Sequence, residues 1–147
     1  MFHLYDVDWS YRVAQAGFPK RQPLGSRDLM DLQAVIVPGV GVAACQAGAD
    51  NTHRNQMTVF EELKKGTDPA KIIEMLSADP SFQSRQFGII DMKGRAAGHS
   101  GTANQASSLH EQGRVPRQPI FYSIQGNILK NEDVVHDAVK AFVAAKG

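Results

Sequence analysis

The run Arg85–Met92 (RQFGIIDM), followed by Lys93-Gly94 and by Arg95–His99, restricts most strongly what this chain can become. It reads as a β-hairpin closed by a two-residue turn. Side chains alternate across an extended chain, so Phe87 and Ile89 point one way while Ile90 and Met92 point the other. A sheet that is apolar on both faces has to be covered from both sides. Upstream, the β-branched run Ala34-Val35-Ile36-Val37, the interruption Pro38-Gly39 and the extended run Val40 to Gln46 have the same two-sided character.

Two helices separate these strand regions. Asp50 or Asn51 is placed to accept from the free N–H groups of a first turn. Met57, Phe60 and Leu63, with Val59 alongside, recur at helical spacing as one apolar stripe, and Gly66 supplies a left-handed stop. Thr67 or Asp68 caps the next helix, with Pro69 at its first position, where a missing N–H costs nothing. Ile72, Ile73, Met75 and Leu76 are its expected buried face, and Asp79-Pro80 ends it. The pair is an αα-hairpin with a very short turn.

The remainder is less regular. Residues 1–27 hold no period beyond a short strand followed by loop. His3, Asp6 and Asp8 suggest metal ligands, but no partner cluster follows, and a partly exposed strand and turn is the plainer reading. Residues 100–118 are rich in Gly, Ser and Gln and read as a polar excursion loop. Pro119 to Leu129 returns as a strand bending at Gly126. Glu132 to Lys146 is a helix capped by Asn131, with Val135, Ala138, Val139 and Phe142 facing inward. Runs of strands alternate with runs of helices without a βαβ repeat. The expected class is therefore α+β, a layered sandwich of largely antiparallel sheets and helices.

Composition narrows the function. The 147 residues suit one domain, and 16 basic against 15 acidic residues give a net charge of +1, which argues against nucleic-acid or anionic-membrane partners. No run approaches the roughly 18 apolar residues of a membrane span. The start MFHLYDVDWS lacks the basic and apolar regions of a secretory signal, so the default expectation is cytoplasmic. One cysteine excludes an intramolecular disulfide and a multi-thiolate zinc site; no metal and no cofactor is expected.

Several groupings suggest chemistry. Gly39, Gly41 and Ala44 resemble the front of a dinucleotide fingerprint, but that chemistry needs a helix opening at Gly41, and Val40 and Val42 favour strand. Cys45 would be a nucleophile only with a histidine beside it; mid-strand after two alanines, it reads as a buried inert thiol. The five histidines show no ligand spacing. The segment Asp50–Gln56, with Asn51, His53, Arg54 and Asn55, packs donors and acceptors at a strand-to-helix junction. Such a place suits a carboxylate or oxyanion, although capping alone explains it equally well. Arg85 and Gln86 add a cation and an amide. Gln125 and Asn127 flank Gly126 at a strand end, where the glycine permits close approach of a ligand.

Taken together, ACQAGADNTHRNQ (44–56), LSADPSFQSRQFGIIDMKGRAAGHSG (76–101), YSIQGNIL (122–129) and VVHDAVKAF (134–142) resemble a bacterial and archaeal family, domain of unknown function 1028. Arg85-Gln86, Gly88, Asp91, Gly94-Arg95 and Gln125-Gly126-Asn127 are the matching positions, and the similarity spans about residues 35–146. The resemblance implies an N-terminal-nucleophile hydrolase-like fold, two antiparallel sheets between helical layers, with an amide-type hydrolase suspected from the fold alone. Residues 1–33 do not resemble the family's opening, which sets a poorly matched segment 1–33 apart from a partial domain 34–147. Met1-Phe2 offers no N-terminal Thr, Ser or Cys, and the family's closing Gly-Gly-Asp segment has no counterpart. The expectation is a chain truncated at both ends and inactive by itself. The alternative is a non-catalytic small-ligand-binding or structural module. A homo-oligomer through exposed sheet edges is the expected partner arrangement.

Overall fold

A computed structural model describes residues 2–6, 32–48, 50–104 and 107–145. The elements, in chain order, are β1 (Phe2–Asp6), β2 (Leu32–Val37), β3 (Gly41–Gln46), α1 (Arg54–Lys65), α2 (Pro69–Leu76), a 3-10 turn (Phe82–Ser84), β4 (Gln86–Asp91), β5 (Ala96–Ser100), β6 (Leu109–Arg114), β7 (Phe121–Gly126) and α3 (Asp133–Ala144). The part of the first segment beyond Asp6, including Asp8, lies outside the described residues.

The helical hairpin forms as its caps require. Gly66 adopts φ 79°, and its N–H closes on the α1 carbonyls. Asp68 accepts from the Ala70 N–H, with Pro69 at the first position of α2. Asn55, Val59 and Leu63 recur every fourth residue on the buried face of α1. Met57 lies about 200° around the helix from Val59 at 100° per residue, and it is 54% exposed rather than part of the stripe. Met75 is likewise exposed, while Ile72 and Leu76 carry the contact of α2. That helix ends at Leu76, three residues before the expected Asp79.

Strands β2-β3-β4-β5 form an antiparallel sheet, and β1-β7-β6 form a second sheet in which β1 runs parallel and β6 antiparallel to β7. The helices α1 and α2 cover one face of the four-stranded sheet. Its other face meets the three-stranded sheet, whose far side carries α3. This is the α+β layering that the two-faced hairpin demands. Val35, Val37, Ala43, Cys45, Phe87 and Ile89 interlock with Val59, Leu63, Ile72 and Leu76. Each fully buried side chain there, such as Leu63 or Ile72, contributes roughly 2 kcal/mol relative to exposure. Tyr122, Ile124, Val115 and Val135 make the smaller core beneath α3.

Between the sheets the packing is small and polar. Antiparallel register aligns Ala44, Gly88 and Gly98 in one cross-strand row, and Gln46, Gln86 and Ser100 in the next. A Cβ at Gly88 would lie 2.5 Å from both Gln125 Oε1 and Ser123 Oγ, so the missing side chain lets the sheets close. This layer explains β6, which occupies part of the expected loop 100–118. Its inward residues, His110 and Gln112, face Gly98 and a polar interior, so its sequence lacks the alternation that marks a strand. Gly41 opens strand β3, which removes the dinucleotide reading.

Candidate functional site

The strand-to-helix junction is built by Asp50. Ala47 and Gly48 turn the chain at φ 58° and 53° after β3, and His53 adopts φ 56° at the start of α1. Such left-handed conformations are costly outside glycine, though histidine is among the residues enriched there. Asp50 Oδ1 accepts from the Thr52 N–H at 3.1 Å and from Thr52 Oγ1 at 2.6 Å, and Oδ2 accepts from the Asn55 N–H at 3.0 Å. The protein's own carboxylate therefore occupies the helix start at which an external anion was expected.

One step further in, Asp79 Oδ2 accepts from Asn55 Nδ2 at 2.8 Å and from Arg85 Nε at 3.1 Å, and Oδ1 accepts from the Ser81 N–H at 2.8 Å. Burial opposes ionisation of both carboxyls. The Thr52 hydroxyl, backbone N–H groups and the Arg85 charge nevertheless hold Asp50 below the usual carboxylate range. Asn55, the Ser81 N–H and Arg85 do the same for Asp79.

These groups line a cavity of about 400 Å³ with Thr52, Arg54, Thr58, Met75 and Leu76. Both carboxylates are largely spent on protein donors. Arg85 is not: the residue is 8% exposed, its Nε is engaged by Asp79, and its Nη groups make no hydrogen bond among the described residues. The Arg54 side chain is exposed and also makes none among them. The unspent capacity of the cavity is therefore guanidinium N–H, which suits a carboxylate.

The candidate residues divide between two places. Arg54, Asn55 and Arg85 line the cavity. Asn51 is exposed and His53 half-buried beside it, and neither lines it. Because neighbours on a strand face opposite ways, Arg85 points to the helix side while Gln86 enters the layer between the sheets. Gln125 is in that layer as well, wholly buried. Asn127 is half-buried beyond the end of β7. Sequence reasoning used Asp79 only as a helix stop and missed Gln46 and His110. The available signal was a glutamine at the matching end of three strands, Gln46, Gln86 and Gln125.

Cys45 behaves as the inert thiol expected of its setting, since burial, with the nearby Asp50 charge, pushes its pKa up to about 12. His99 stacks on Phe82 with ring centroids 3.6 Å apart, and its Nε2 lies 3.0 Å from the Phe82 carbonyl oxygen. Among the described residues no group of three or more His, Cys, Asp or Glu could hold a metal ion, and no helix is long and apolar enough to cross a membrane.

The matching positions of the sequence resemblance have structural tasks here. Asp91 Oδ1 accepts from the Lys93 and Arg95 N–H groups, closing the hairpin. Arg95 binds Asp91 Oδ2, Asp68 Oδ2 and the Gly66 carbonyl, which ties that hairpin to the turn between α1 and α2. The model of a family of unknown function, DUF1028, matches residues 31–147. The crystal structure of protein SPO2555 from Silicibacter pomeroyi, assigned to the same family, is similar with a TM-score of 0.63 and 24% identity, over 80% of this chain and 51% of that one. The chain thus spans about half the length of that protein, and the likeness is one of fold. No curated protein matches the chain.

Proposed function

This chain belongs to DUF1028, a family of unknown function, and on that premise we propose that the domain binds a small carboxylate-bearing molecule in the cavity at Arg85. The observation that carries the reading is the buried Arg85 guanidinium. Asp79 fixes one nitrogen, and the Nη groups meet no acceptor among the described residues at a 400 Å³ cavity. A guanidinium oriented by one carboxylate meets another with little loss of side-chain freedom, and the fork geometry favours a two-point contact. Arg54 at the rim adds a second positive charge, and Thr52 and Asn55 lie alongside. The amide-hydrolase reading has less support from the described groups, since the Cys45 thiol is held protonated and Ser123 Oγ is buried, accepting from Gln112 Nε2 at 3.0 Å.

Titration of isotope-labelled protein with succinate, with sodium chloride as the ionic-strength control, tests the proposal. Saturable resonance shifts are expected at Thr52, Asn55 and Arg85. Arg85→Met should weaken the interaction by about tenfold or more, the worth of one charge-assisted hydrogen bond. Shifts that sodium chloride reproduces, or that persist in a folded Arg85→Met variant, would refute it.

A further inference from the structure

The layer between the sheets holds polar capacity that neither the fold nor the Arg85 cavity uses. Gln125 is 0% exposed, and both Oε1 and Nε2 of its amide lack a hydrogen-bond partner among the described residues. His110, its cross-strand neighbour on β6, has a buried Nδ1 without a partner among the described residues. Gln46 donates from Nε2 to Gln86 Oε1 at 2.7 Å, while its own Oε1 is buried and unpaired among the described residues. A buried polar atom without a partner is costly, and four in the layer between the two sheets point to a group that completes them.

We propose that the layer between the sheets, at Gln125 and His110 with Gln46 in the neighbouring row, is a binding point for an uncharged carboxamide or ureido group. Gln125 offers one N–H donor face and one acceptor, which a carboxamide meets with a matching acceptor and donor in a two-point contact. Gln46 Oε1 supplies a further acceptor for the ligand's second N–H. His110 Nδ1 accepts or donates according to its tautomer. The described polar groups around this point are amide, hydroxyl and imidazole, and burial favours the neutral imidazole of His110. A carboxylate would meet acceptors here instead of a cation, so the preference is opposite to that at Arg85. Gln86 is excluded from the ligand's partners because its amide is already committed to Gln46, Ser100 and the Gly126 carbonyl.

Acetamide, titrated against acetate into selectively labelled protein up to about 100 mM, the range expected for so small a ligand, tests the assignment. The expected result is a saturable shift of the Gln125 side-chain NH2 and the Gly88 N–H with acetamide and none with acetate. The Gln125→Met variant should lose that response and unfold at a higher temperature, since it removes an unpaired amide at similar volume. Arg85→Met should keep the acetamide response, which separates this site from the carboxylate cavity. The proposal is overturned by a Gln125 NH2 that contacts only a long-lived internal water and ignores acetamide. It is equally overturned by a Gln125→Met variant that responds like the wild type, or by an acetamide response that disappears in Arg85→Met. Should Gln125→Met not fold, the wild-type titration against acetate decides.

Discussion

Gln86 Nε2 donates to the Gly126 carbonyl oxygen at 2.8 Å, joining the four-stranded sheet to the three-stranded one through a single buried amide. The same nitrogen lies 2.7 Å from Ser100 Oγ, and Oε1 accepts from Gln46 Nε2. One side chain thus links β3, β5 and the end of β7, and it connects the Arg85-Gln86 stretch with Gln125-Gly126-Asn127, forty residues away.

Gln86→Met is expected to cost about 3 kcal/mol, because it leaves the Gly126 carbonyl and the Gln46 amide buried and unpaired while preserving volume. Denaturant titration measures this as a lower midpoint at nearly constant slope. A loss below 1 kcal/mol, roughly the worth of one ordinary hydrogen bond, would show that the amide is not the link described.

Asp79→Asn separates stability from binding. The ion pair with Arg85 has side chains 19% and 10% exposed, so removing the carboxylate strands a largely buried guanidinium, at a cost of about 2 kcal/mol. The same change leaves the Arg85 charge less neutralised, and succinate affinity should rise. A variant that is both less stable and a weaker binder would argue that Asp79 acts on the cavity only by holding its shape.

How much of this was legible in the sequence depended on whether the cause was local. Gly66, Asp68 and Pro69 act within their own turn, and the helical hairpin follows from them. The layering followed from Phe87, Ile89 and Ile90 lying on both faces of one strand. Met57 and Met75 were misplaced because apolar spacing records which residues could be buried, and the neighbouring sheet decides which are. Strand β6 was hidden because its inward residues answer to polar partners on another sheet. Of the residues that line the cavity, Arg54 and Asn55 stand out in the sequence as a polar run at a strand-to-helix junction and Arg85 at the start of a strand. Asp79 escaped because its contacts, to Asn55 and Arg85, form only once α2 folds back.

Acid should weaken the fold through the same cluster. Asp50 and Asp79 are both held below the ordinary carboxyl range when folded. Unfolding near those values takes up protons, so their stabilisation is complete above the unfolded pKa of about 3.9 and is lost as pH falls through the lower folded values. Denaturation midpoints measured from about pH 6 down to about pH 2.5 should therefore fall, and fall less steeply in Asp50→Asn/Asp79→Asn. Equal slopes in the two proteins would place the acid sensitivity elsewhere.

The thiol of Cys45 lies on the helix face of the four-stranded sheet, opposite the face that carries Gln86. It is 3% exposed in the core beneath α1 and α2, and with a pKa of about 12 its thiolate fraction at about pH 8 is near 10⁻⁴. An aromatic disulfide reagent should leave the native protein unmodified and release one thiol equivalent per chain in guanidinium. Where opening is fast relative to labelling, the native rate follows the open population. Gln86→Met should then react faster in proportion to its lost stability, although residue 86 faces away from the thiol. Rapid wild-type labelling, or a rate indifferent to Gln86→Met, would mean that the helical layer lifts from the sheet independently of the contact between the sheets.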